Sequence, residues 1–332
     1  MELNERLVRY KDLRPCHTAF IDTRSPGSDK KENFTIIGPG VAENPDQHVH
    51  IKLEHGFNIG GARQPPHCLN SQHSHLTSEV FVVHTGTWAF RSGVDAKDAE
   101  IILNPGDIIS LPTDVFRGFE NIGQNKGFLF AVLGEDDPGR VLWAPQVFDL
   151  AKDHGLVLME DGSLYDAHSS DSLPEGTLPM PRTGPHEVAK HQVLGANDLK
   201  GIITRARNFN WSNNTALSVF EGIEEAALLG PANEAESIPE SQLAWPHGFV
   251  MRALRMAPGS VIPDHGRQEE EVIFVQKGTF EVEVDGKTLE MEAGDTFTTP
   301  IGSKRAFSNS GSGNCIVYIT RRGDQPEAAD FS

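Results

Sequence analysis

The chain carries one residue pattern twice, and this repetition restricts its fold more than any other feature. Identical residues coincide at an offset of 192 positions, and after a four-residue shortening they coincide at an offset of 188. The pairs at the first offset include His55–Gly56–Phe57 with His247–Gly248–Phe249, Arg63 with Arg255, Pro66 with Pro258, Glu79 with Glu271 and Gly86 with Gly278. The pairs at the second offset include Gly106 with Gly294, Pro112 with Pro300, Arg117 with Arg305, Phe119 with Phe307 and Asn121 with Asn309. Because chance matches would not keep a constant spacing, the pattern indicates an internally duplicated domain.

Each copy has the residue pattern of β-strands. β-Branched and aromatic residues form short runs, and one alternating segment turns at Asp285–Gly286, a pair typical of tight hairpins. The runs that predict strands are 79–83, 128–133, 272–275, 279–287 and 315–319. Between the copies, Pro145 to His154 predicts a short helix with proline in its first turn. Many short strands separated by glycine and proline turns favour an all-β jelly roll for each copy.

Charge and composition exclude several classes of function. The 332 residues carry a formal net charge of -18, from 47 acidic and 29 basic residues. This balance disfavours nucleic acid and anionic membranes, because binding to either relies on Lys and Arg. No apolar run approaches the roughly 20 residues of a membrane-spanning helix, and the charged N-terminal segment lacks a secretory apolar region. We therefore expect a cytoplasmic protein with no nucleic-acid or membrane partner.

Two motifs occur at matching spacing in each copy. They lie at 73–86 and 106–121 in the first copy, and at 265–278 and 294–309 in the second. Their spacing resembles the two signature motifs of the cupin family. The resemblance implies a bicupin, with two tandem jelly-roll barrels related by internal duplication and a few short helices in the linker. Gentisate-type dioxygenases and quercetinases are the nearest bicupin analogies.

The repeats and their flanks divide the chain into four parts. We expect an N-terminal arm at 1–35, a first barrel at 36–137, a linker with a short helix at 138–192 and a second barrel at 193–325. Cupin barrels often pair through their sheet edges and N-terminal extensions. The resemblance therefore also implies a homo-oligomer.

The first copy has the residue types of a metal site. Residues 73, 75 and 79 share the same parity, so on extended chain their side chains project to one face. The two imidazoles and one carboxylate of His73, His75 and Glu79 resemble the ligand set that leaves open positions on Fe(II). The sequence therefore predicts one divalent transition metal per chain, in the first barrel only. Iron is favoured, and manganese, nickel, zinc or cobalt also suits these ligands.

Position 117 departs from the cupin pattern, in which the second motif usually supplies a further histidine. Arg117 cannot ligate, because its guanidinium stays protonated and offers no lone pair. Two interpretations are open. Either His73, His75 and Glu79 hold a metal while Arg117 binds an acidic substrate, or Arg117 pairs with Glu79 and no metal binds.

Further residues are weaker candidates for the same site. Arg63 recurs as Arg255 and is a second candidate for substrate binding, although a surface role suits it equally. His67, or one of His48 and His50, is a candidate for a fourth ligand. The pair at 48 and 50 lies on an alternating segment, where a packed or solvent-facing position is the simpler expectation.

The second copy lacks the full ligand set. It keeps His265 and Glu271 but has Arg267 in place of the second histidine and Arg305 at the position of Arg117. We expect the two arginines to pair with Glu271 in a structural cluster, with an anion-binding pocket as the alternative. The first barrel would then be active and the second supporting.

These observations lead to one main functional hypothesis and two alternatives. The main hypothesis is a metal-dependent bicupin enzyme, a dioxygenase acting on a small aromatic or enol-type acid, with His73, Glu79 and Arg117 as its catalytic residues. One alternative is an isomerase or epimerase with histidine as general base. The other is a non-catalytic bicupin that binds a small molecule.

Overall fold

The computed structural model describes residues 2–169 and 173–332 and shows an all-β chain with a few short helices, as predicted. The strands are β1 (Leu7–Val8), β2 (Glu32–Ile37), β3 (Val49–Ile51), β4 (Phe57–Gln64), β5 (Leu69–Ser74), β6 (Glu79–Thr85), β7 (Trp88–Ser92), β8 (Ala99–Leu103), β9 (Ile108–Leu111), β10 (Arg117–Asn121), β11 (Gly127–Gly134), β12 (Leu142–Trp143), β13 (Leu156–Leu158), β14 (Leu164–Asp166), β15 (Ile203–Thr204), β16 (Ile223–Leu229), β17 (Phe249–Met256), β18 (Val261–His265), β19 (Glu271–Lys277), β20 (Thr279–Val284), β21 (Lys287–Glu292), β22 (Thr296–Thr299), β23 (Arg305–Ser308) and β24 (Cys315–Arg322). The α-helices are α1 (Pro145–Asp153), α2 (Pro185–Val188) and α3 (Ala196–Gly201). The 3-10 helices are Leu3–Arg6, Tyr10–Asp12, Ile21–Arg24, Ala206–Asn208 and Glu234–Glu236.

Two local predictions are confirmed by the backbone. The helix predicted from Pro145 is α1, and the proline occupies its first turn, where a missing N–H breaks no helical hydrogen bond. The predicted turn at Asp285–Gly286 joins β20 to β21, and both residues have positive φ angles, 50° and 76°. Such a two-residue turn matches the right-handed twist of the strands that it joins.

The described residues group into two compact units. The first unit contains 14–52 and 58–203, and the second contains 2–13, 53–57 and 204–332. The predicted boundaries at 36, 138 and 193 differ from these divisions. The reason lies in an apolar cluster of the first unit, in which Ile21, Val147 and Leu158 pack together with Phe116 and so join the 14–35 segment and the predicted linker to the barrel. Residues 170–172 of that linker lie outside the described residues.

The first unit is a jelly roll built from two mainly antiparallel sheets. One sheet has the strand order β15-β9-β6-β11-β4-β2-β3, and the other has the order β12-β5-β10-β7-β8. Apolar side chains from both sheets form one core, exemplified by Phe81, Phe90, Phe119 and Leu129. Alternating apolar residues supply this core because successive side chains on a strand point to opposite faces.

The second unit repeats the central strands of both sheets in the same order. Its sheets run β1-β22-β19-β24-β17-β16 and β18-β23-β20-β21, which correspond to β9-β6-β11-β4-β2 and β5-β10-β7-β8 of the first unit with β1 added at one edge. The register is also repeated. Leu133 lies opposite Glu79 on β11 and β6, and Arg321 lies opposite Glu271 on β24 and β19. The duplication inferred from the sequence is therefore present at the level of residue pairs.

Within 2–169 and 173–332, the helices are too short or too polar to cross a lipid bilayer.

Candidate metal centre

The three predicted ligands lie at the junction between the two sheets of the first barrel. His73 is in β5 of one sheet, Glu79 begins β6 of the other, and His75 lies in the connection between them. The chain is therefore not continuously extended from 73 to 79, as the parity argument assumed. The side chains converge because they approach from two facing sheets.

The ligand atoms of these three residues are close enough to share one ion. One donor atom each from His73, His75 and Glu79 lies within 4.8 Å of the others, and all three residues are buried. His75 Nε2 is 3.7 Å from Glu79 Oε1. Among the residues that the structure describes, this is the one group of His, Cys, Asp and Glu with such spacing.

Hydrogen bonding sets the tautomer of His73. Its Nδ1 lies 2.7 Å from the Ser71 carbonyl oxygen, which can only accept, so Nδ1 carries the proton and donates. Asn70 Nδ2 is also near Nδ1, but 3.4 Å away and itself a donor, so it makes no hydrogen bond with a protonated Nδ1. The lone pair of His73 is left on Nε2. This outer hydrogen bond from a ligating histidine to a carbonyl is the usual arrangement in metal proteins.

The second histidine is less well supported. His75 Nδ1 is buried and has no hydrogen-bond partner. An unpaired buried ring nitrogen is unfavourable unless a ligand or water reaches that same nitrogen.

Burial and Arg117 together control the charge of the cluster. Burial lowers the pKa of His73 and of His75 well below the ordinary histidine value, and the Arg117 charge lowers both further. Both imidazoles are therefore neutral at pH 7, as metal ligands must be. Burial raises the pKa of Glu79, while the Arg117 charge and its hydrogen bond oppose that rise.

Arg117 and His75 lie beside different oxygens of the Glu79 carboxylate. Arg117 Nη2 donates to Glu79 Oε2 at 2.7 Å, and Arg117 Nη1 donates to the His73 carbonyl oxygen at 3.3 Å. Glu79 Oε1 is the oxygen that faces His75. The ion pair and the three-ligand cluster, which the sequence left as competing interpretations, therefore coexist in one geometry.

The cluster forms part of the wall of a cavity inside the first barrel. The cavity contains about 650 Å³ of space, its open mouth included. Its aromatic lining comes from Phe20, Phe34, Phe81, Phe119 and Trp143. Its polar lining, apart from the three ligands, comes from Asn33, Thr35, Gln47, Asn58 and Asn70. Arg117 is not among the lining residues, because it lies behind Glu79.

A buried ion pair supports His73 from outside the cavity. Lys31 Nζ contacts Asp22 and donates to Asn70 Oδ1 at 2.8 Å, and both charged side chains are fully buried. Asp22 Oδ2 accepts from the Ser71 backbone N–H at 3.1 Å, which positions the carbonyl that binds His73. The sequence carried no signal for this arrangement, since Asp22 and Lys31 lie far from the motif in the chain.

Part of the sequence matches a known family, and the fold matches known structures. A family model described as "Cupin domain" matches residues 253–320. The oxalate decarboxylase of Lactobacillus farciminis, in a formate complex, has a TM-score of 0.59 at 13% identity, covering 98% of this chain and 88% of that one. Bacillus subtilis oxalate decarboxylase at pH 4.6 has a TM-score of 0.57 at 13% identity, covering 98% and 78%. Both barrels are thus matched in one neighbour.

The chain therefore has the bicupin fold, with two tandem cupin-type barrels. Among curated proteins, none has a sequence that matches it. At 13% identity the structural neighbours establish the fold, so function has to be argued from the site of this bicupin.

The C-terminal cupin barrel holds a buried ion network at the corresponding position. His265 Nδ1 donates to the Pro263 carbonyl oxygen at 2.9 Å, as His73 does to Ser71. Arg305 Nε and Arg267 Nε lie 3.4 and 3.6 Å from the two oxygens of Glu271, too far for strong hydrogen bonds. The closer partner of Arg267 is Glu236, which lies outside the motif.

Glu236 pairs with both Arg267 and Arg321. Arg321 also pairs with Glu269. Sequence reasoning missed these members because they come from outside the motif spacing. Two arginines of this barrel stand at positions where the first barrel has uncharged residues. Arg267 corresponds to His75, and Arg321 corresponds to Leu133.

The remaining predicted site residues lie away from the cavity of the bicupin. Arg63 contacts Glu32 across β4 and β2, and its guanidinium lies 4.9 Å from the Phe34 ring centre. Arg255 makes the same pair with Glu224 in the second barrel, so this arginine is part of the repeated framework.

The other histidines are also outside the cluster. The His67 side chain is 80% exposed, and His48 and His50 pack against each other with ring centres 4.5 Å apart. Neither set belongs to the three-residue ligand group. His84 is buried and packs near Phe128.

Trp143 is a site residue that the motifs did not reveal. Its ring centre lies 5.4 Å from that of His73, and Phe331 lies 5.4 Å from His265 in the second barrel. The two aromatics are related by the same offset of 188, so the repeat extends beyond the predicted end at 325. The C-terminal residues therefore complete the second barrel as β12 completes the first.

Proposed function

We propose that this bicupin is a metal-dependent enzyme whose active site is the cavity of the first barrel. One divalent transition metal would be held by His73, His75 and Glu79. The observation that carries the proposal is the sharing of Glu79, whose Oε2 binds Arg117 while Oε1 stays beside His75 in the ligand cluster. Oxygen and imidazole donors of this type suit iron first, with manganese, nickel, zinc or cobalt as further candidates.

The residues fit such an ion by their chemistry. Two neutral imidazoles and one carboxylate leave coordination positions open toward the cavity, where a bound metal would supply Lewis-acid or redox chemistry. The chain itself contributes three further elements. Ser71 holds the His73 ring, Arg117 binds Glu79 and favours its charged form, and aromatic side chains line the cavity.

For the reaction we propose dioxygenation of a small aromatic or enol-type compound, the reaction class implied by the cupin resemblance. Two neighbouring oxygens on the substrate would suit the open positions at the cluster. The isomerase alternative requires His73 or His75 to act as a general base. Their strongly lowered pKa values make both imidazoles weak bases, so the structure favours the ligand role.

Metal analysis tests the site directly. Protein reconstituted anaerobically with Fe(II) or Mn(II) and then desalted should retain about one metal per chain by mass spectrometry. His75→Ala should lose it, whereas His67→Ala, which changes an exposed histidine outside the cluster, should retain it. A wild-type protein that takes up no metal, or a His75→Ala protein that keeps its metal, would contradict the proposal.

Oxygen consumption then separates the reaction classes. Iron-loaded protein mixed with aryl diols or enols should consume dissolved oxygen, and His75→Ala should not. Turnover of the same compounds without oxygen uptake would favour isomerisation. Tight binding without turnover would favour the non-catalytic alternative.

A further inference from the structure

The cavity lining carries no cationic side chain among the described residues. Apart from the ligand cluster, every lining side chain is apolar, aromatic, hydroxyl or carboxamide. Cavities that select small carboxylates normally present an arginine or lysine, because a buried carboxylate needs a partner charge. The lining therefore disagrees with the acidic substrate that the sequence predicted.

The cations behind the lining are already neutralised. Lys31 pairs with Asp22, and Arg117 pairs with Glu79. Arg140 lines a separate groove, where its guanidinium donates to the carbonyl oxygens of Glu160 and Asp161. None of these three side chains lines the cavity, so none is in place to pair with a carboxylate inside it.

Two amides in the lining have polar atoms that no protein group satisfies. Asn33 is more than nine-tenths buried, and its Nδ2 has no hydrogen-bond partner. Gln47 Nε2 donates to Thr35 Oγ1, while the buried Gln47 Oε1 has no partner. One free donor and one free acceptor match a neutral hydroxyl, which both accepts and donates.

Small residues line the cavity, and the second barrel has bulkier residues at the duplicated positions. Gly60, Ala62 and Ala131 line the cavity of the first barrel. The duplicated positions of the second barrel, at the offsets of 192 and 188, hold Arg252, Leu254 and Ile319, all of them buried. One glycine and two alanines therefore leave room in the first copy where the second copy holds bulkier, buried residues.

We propose that the first-barrel cavity binds an uncharged, largely apolar molecule with neighbouring hydroxyl or carbonyl groups, such as an aryl diol or enol, and discriminates against carboxylates. This inference rests on the proposed function for the role of the ligand cluster, and it specifies the substrate class of that site. The aromatic wall would contact the ring, and Asn33 and Gln47 would bind a neutral polar substituent. Oxalate, on which the named structural neighbours act, falls outside this class.

A matched pair of ligands tests the inference. Catechol and 3,4-dihydroxybenzoate differ by a single carboxylate, and oxalate provides a small dianion without a ring. Isothermal titration at pH 7 would compare the three with metal-free and Zn(II)-loaded protein. We expect catechol to bind at least tenfold more tightly than 3,4-dihydroxybenzoate, and oxalate more weakly than catechol. Equal or tighter binding of either carboxylate, or no binding of catechol, would overturn the inference.

Variants that copy the second barrel test where the ligand binds. Ala131→Ile places the second-barrel residue in the cavity and should reduce catechol affinity at least tenfold. Ala306→Ile adds the same volume on the partly exposed face of β23 and should leave affinity unchanged. Ala62→Leu provides a second cavity-filling variant, and circular dichroism confirms that each one folds. Unchanged catechol affinity in a folded cavity-filling variant would place the ligand elsewhere and refute the assignment.

The two proposals can fail independently. The metal proposal fails if the wild-type protein binds no metal, whichever organic ligand it prefers. The substrate-class inference fails if the protein binds a carboxylate at least as tightly as catechol, whatever its metal content.

Discussion

Replacing Arg117 by leucine tests how the first barrel keeps a negative charge in its interior. Arg117 is 1% exposed, and its Nη2 lies 2.7 Å from Glu79 Oε2. Leucine fills part of the same volume but removes the positive charge. The variant therefore leaves Glu79 as a buried carboxylate without its charge partner.

The stability lost on replacing Arg117 by leucine follows from the geometry of its ion pair with Glu79. Opposite charges 2.7 Å apart attract by about 6 kcal/mol at an effective dielectric constant near 20. Desolvation offsets part of this attraction, and removal of one partner from a buried pair typically costs about 3–5 kcal/mol. We expect Arg117→Leu to lower the free energy of unfolding by that amount at pH 8. This is a large fraction of the roughly 5–15 kcal/mol that stabilises a typical domain.

The loss should depend on pH in a defined direction. Burial raises the folded-state pKa of Glu79 above its ordinary value. The folded protein then holds more protons than the unfolded chain between the two pKa values, so stability falls as pH rises through that window. Without Arg117 the folded-state pKa rises further, and the window extends upward. Arg117→Leu should therefore be less destabilising at pH 5 than at pH 8.

Urea denaturation of the metal-free protein at both pH values measures the effect. Arg91→Leu is the control, because Arg91 pairs with Glu100 and Glu120 at the surface and its loss should cost no more than about 1 kcal/mol. Glu79→Gln combined with Arg117→Leu should recover part of the stability, since no buried charge remains. If Arg117→Leu costs the same at pH 5 and pH 8, and the double variant recovers nothing, Arg117 does not compensate the charge of Glu79.

Two further predictions concern the framework and the thiols. Asn121 and Asn309 are both buried, and each Nδ2 donates to two backbone carbonyl oxygens at 2.8 to 2.9 Å. Alanine at either position should lower the free energy of unfolding by about 1–3 kcal/mol in urea denaturation. If the two losses differ by more than about 3 kcal/mol, the two positions are not equivalent. Burial raises the pKa of Cys68 to about 11 and that of Cys315 to about 12. At pH 8 a thiol reagent should therefore label only Cys16, which is partly exposed, in native protein and all three thiols in urea; rapid native labelling of Cys315 would contradict this.

Much of the fold could be predicted from the sequence because it depends on local patterns that occur twice. The offsets of 192 and 188 identified the duplication, and the same offsets relate strands, registers and even the aromatics Trp143 and Phe331 in the structure. The boundaries were harder to predict. Residues 14–35 and α1 pack together through apolar side chains such as Ile21 and Val147, and such a contact leaves no periodic signal in either segment.

The site divides in the same way. The motif spacing predicted that His73, His75 and Glu79 form a group. They come together because two facing sheets bring them close, and not because they lie on one extended strand. The roles of Arg117 and Arg63 could not be predicted from the sequence. Each role depends on which carboxylate the guanidinium reaches, and that is a property of packing.

The sequence by itself determined the chemical capacity of each barrel, because only certain functional groups can bind a metal. It identified a first copy with three ligands, His73, His75 and Glu79, and a second copy in which Arg267 replaces one of them. Only the tertiary structure decided that Glu79 presents one oxygen to Arg117 and the other to His75, and that the cavity beside them, lined by Gly60 and its small neighbours, has no cationic side chain among the described residues. Those features arise where distant strands meet, and the distances between side chains there are set by packing rather than by position in the chain.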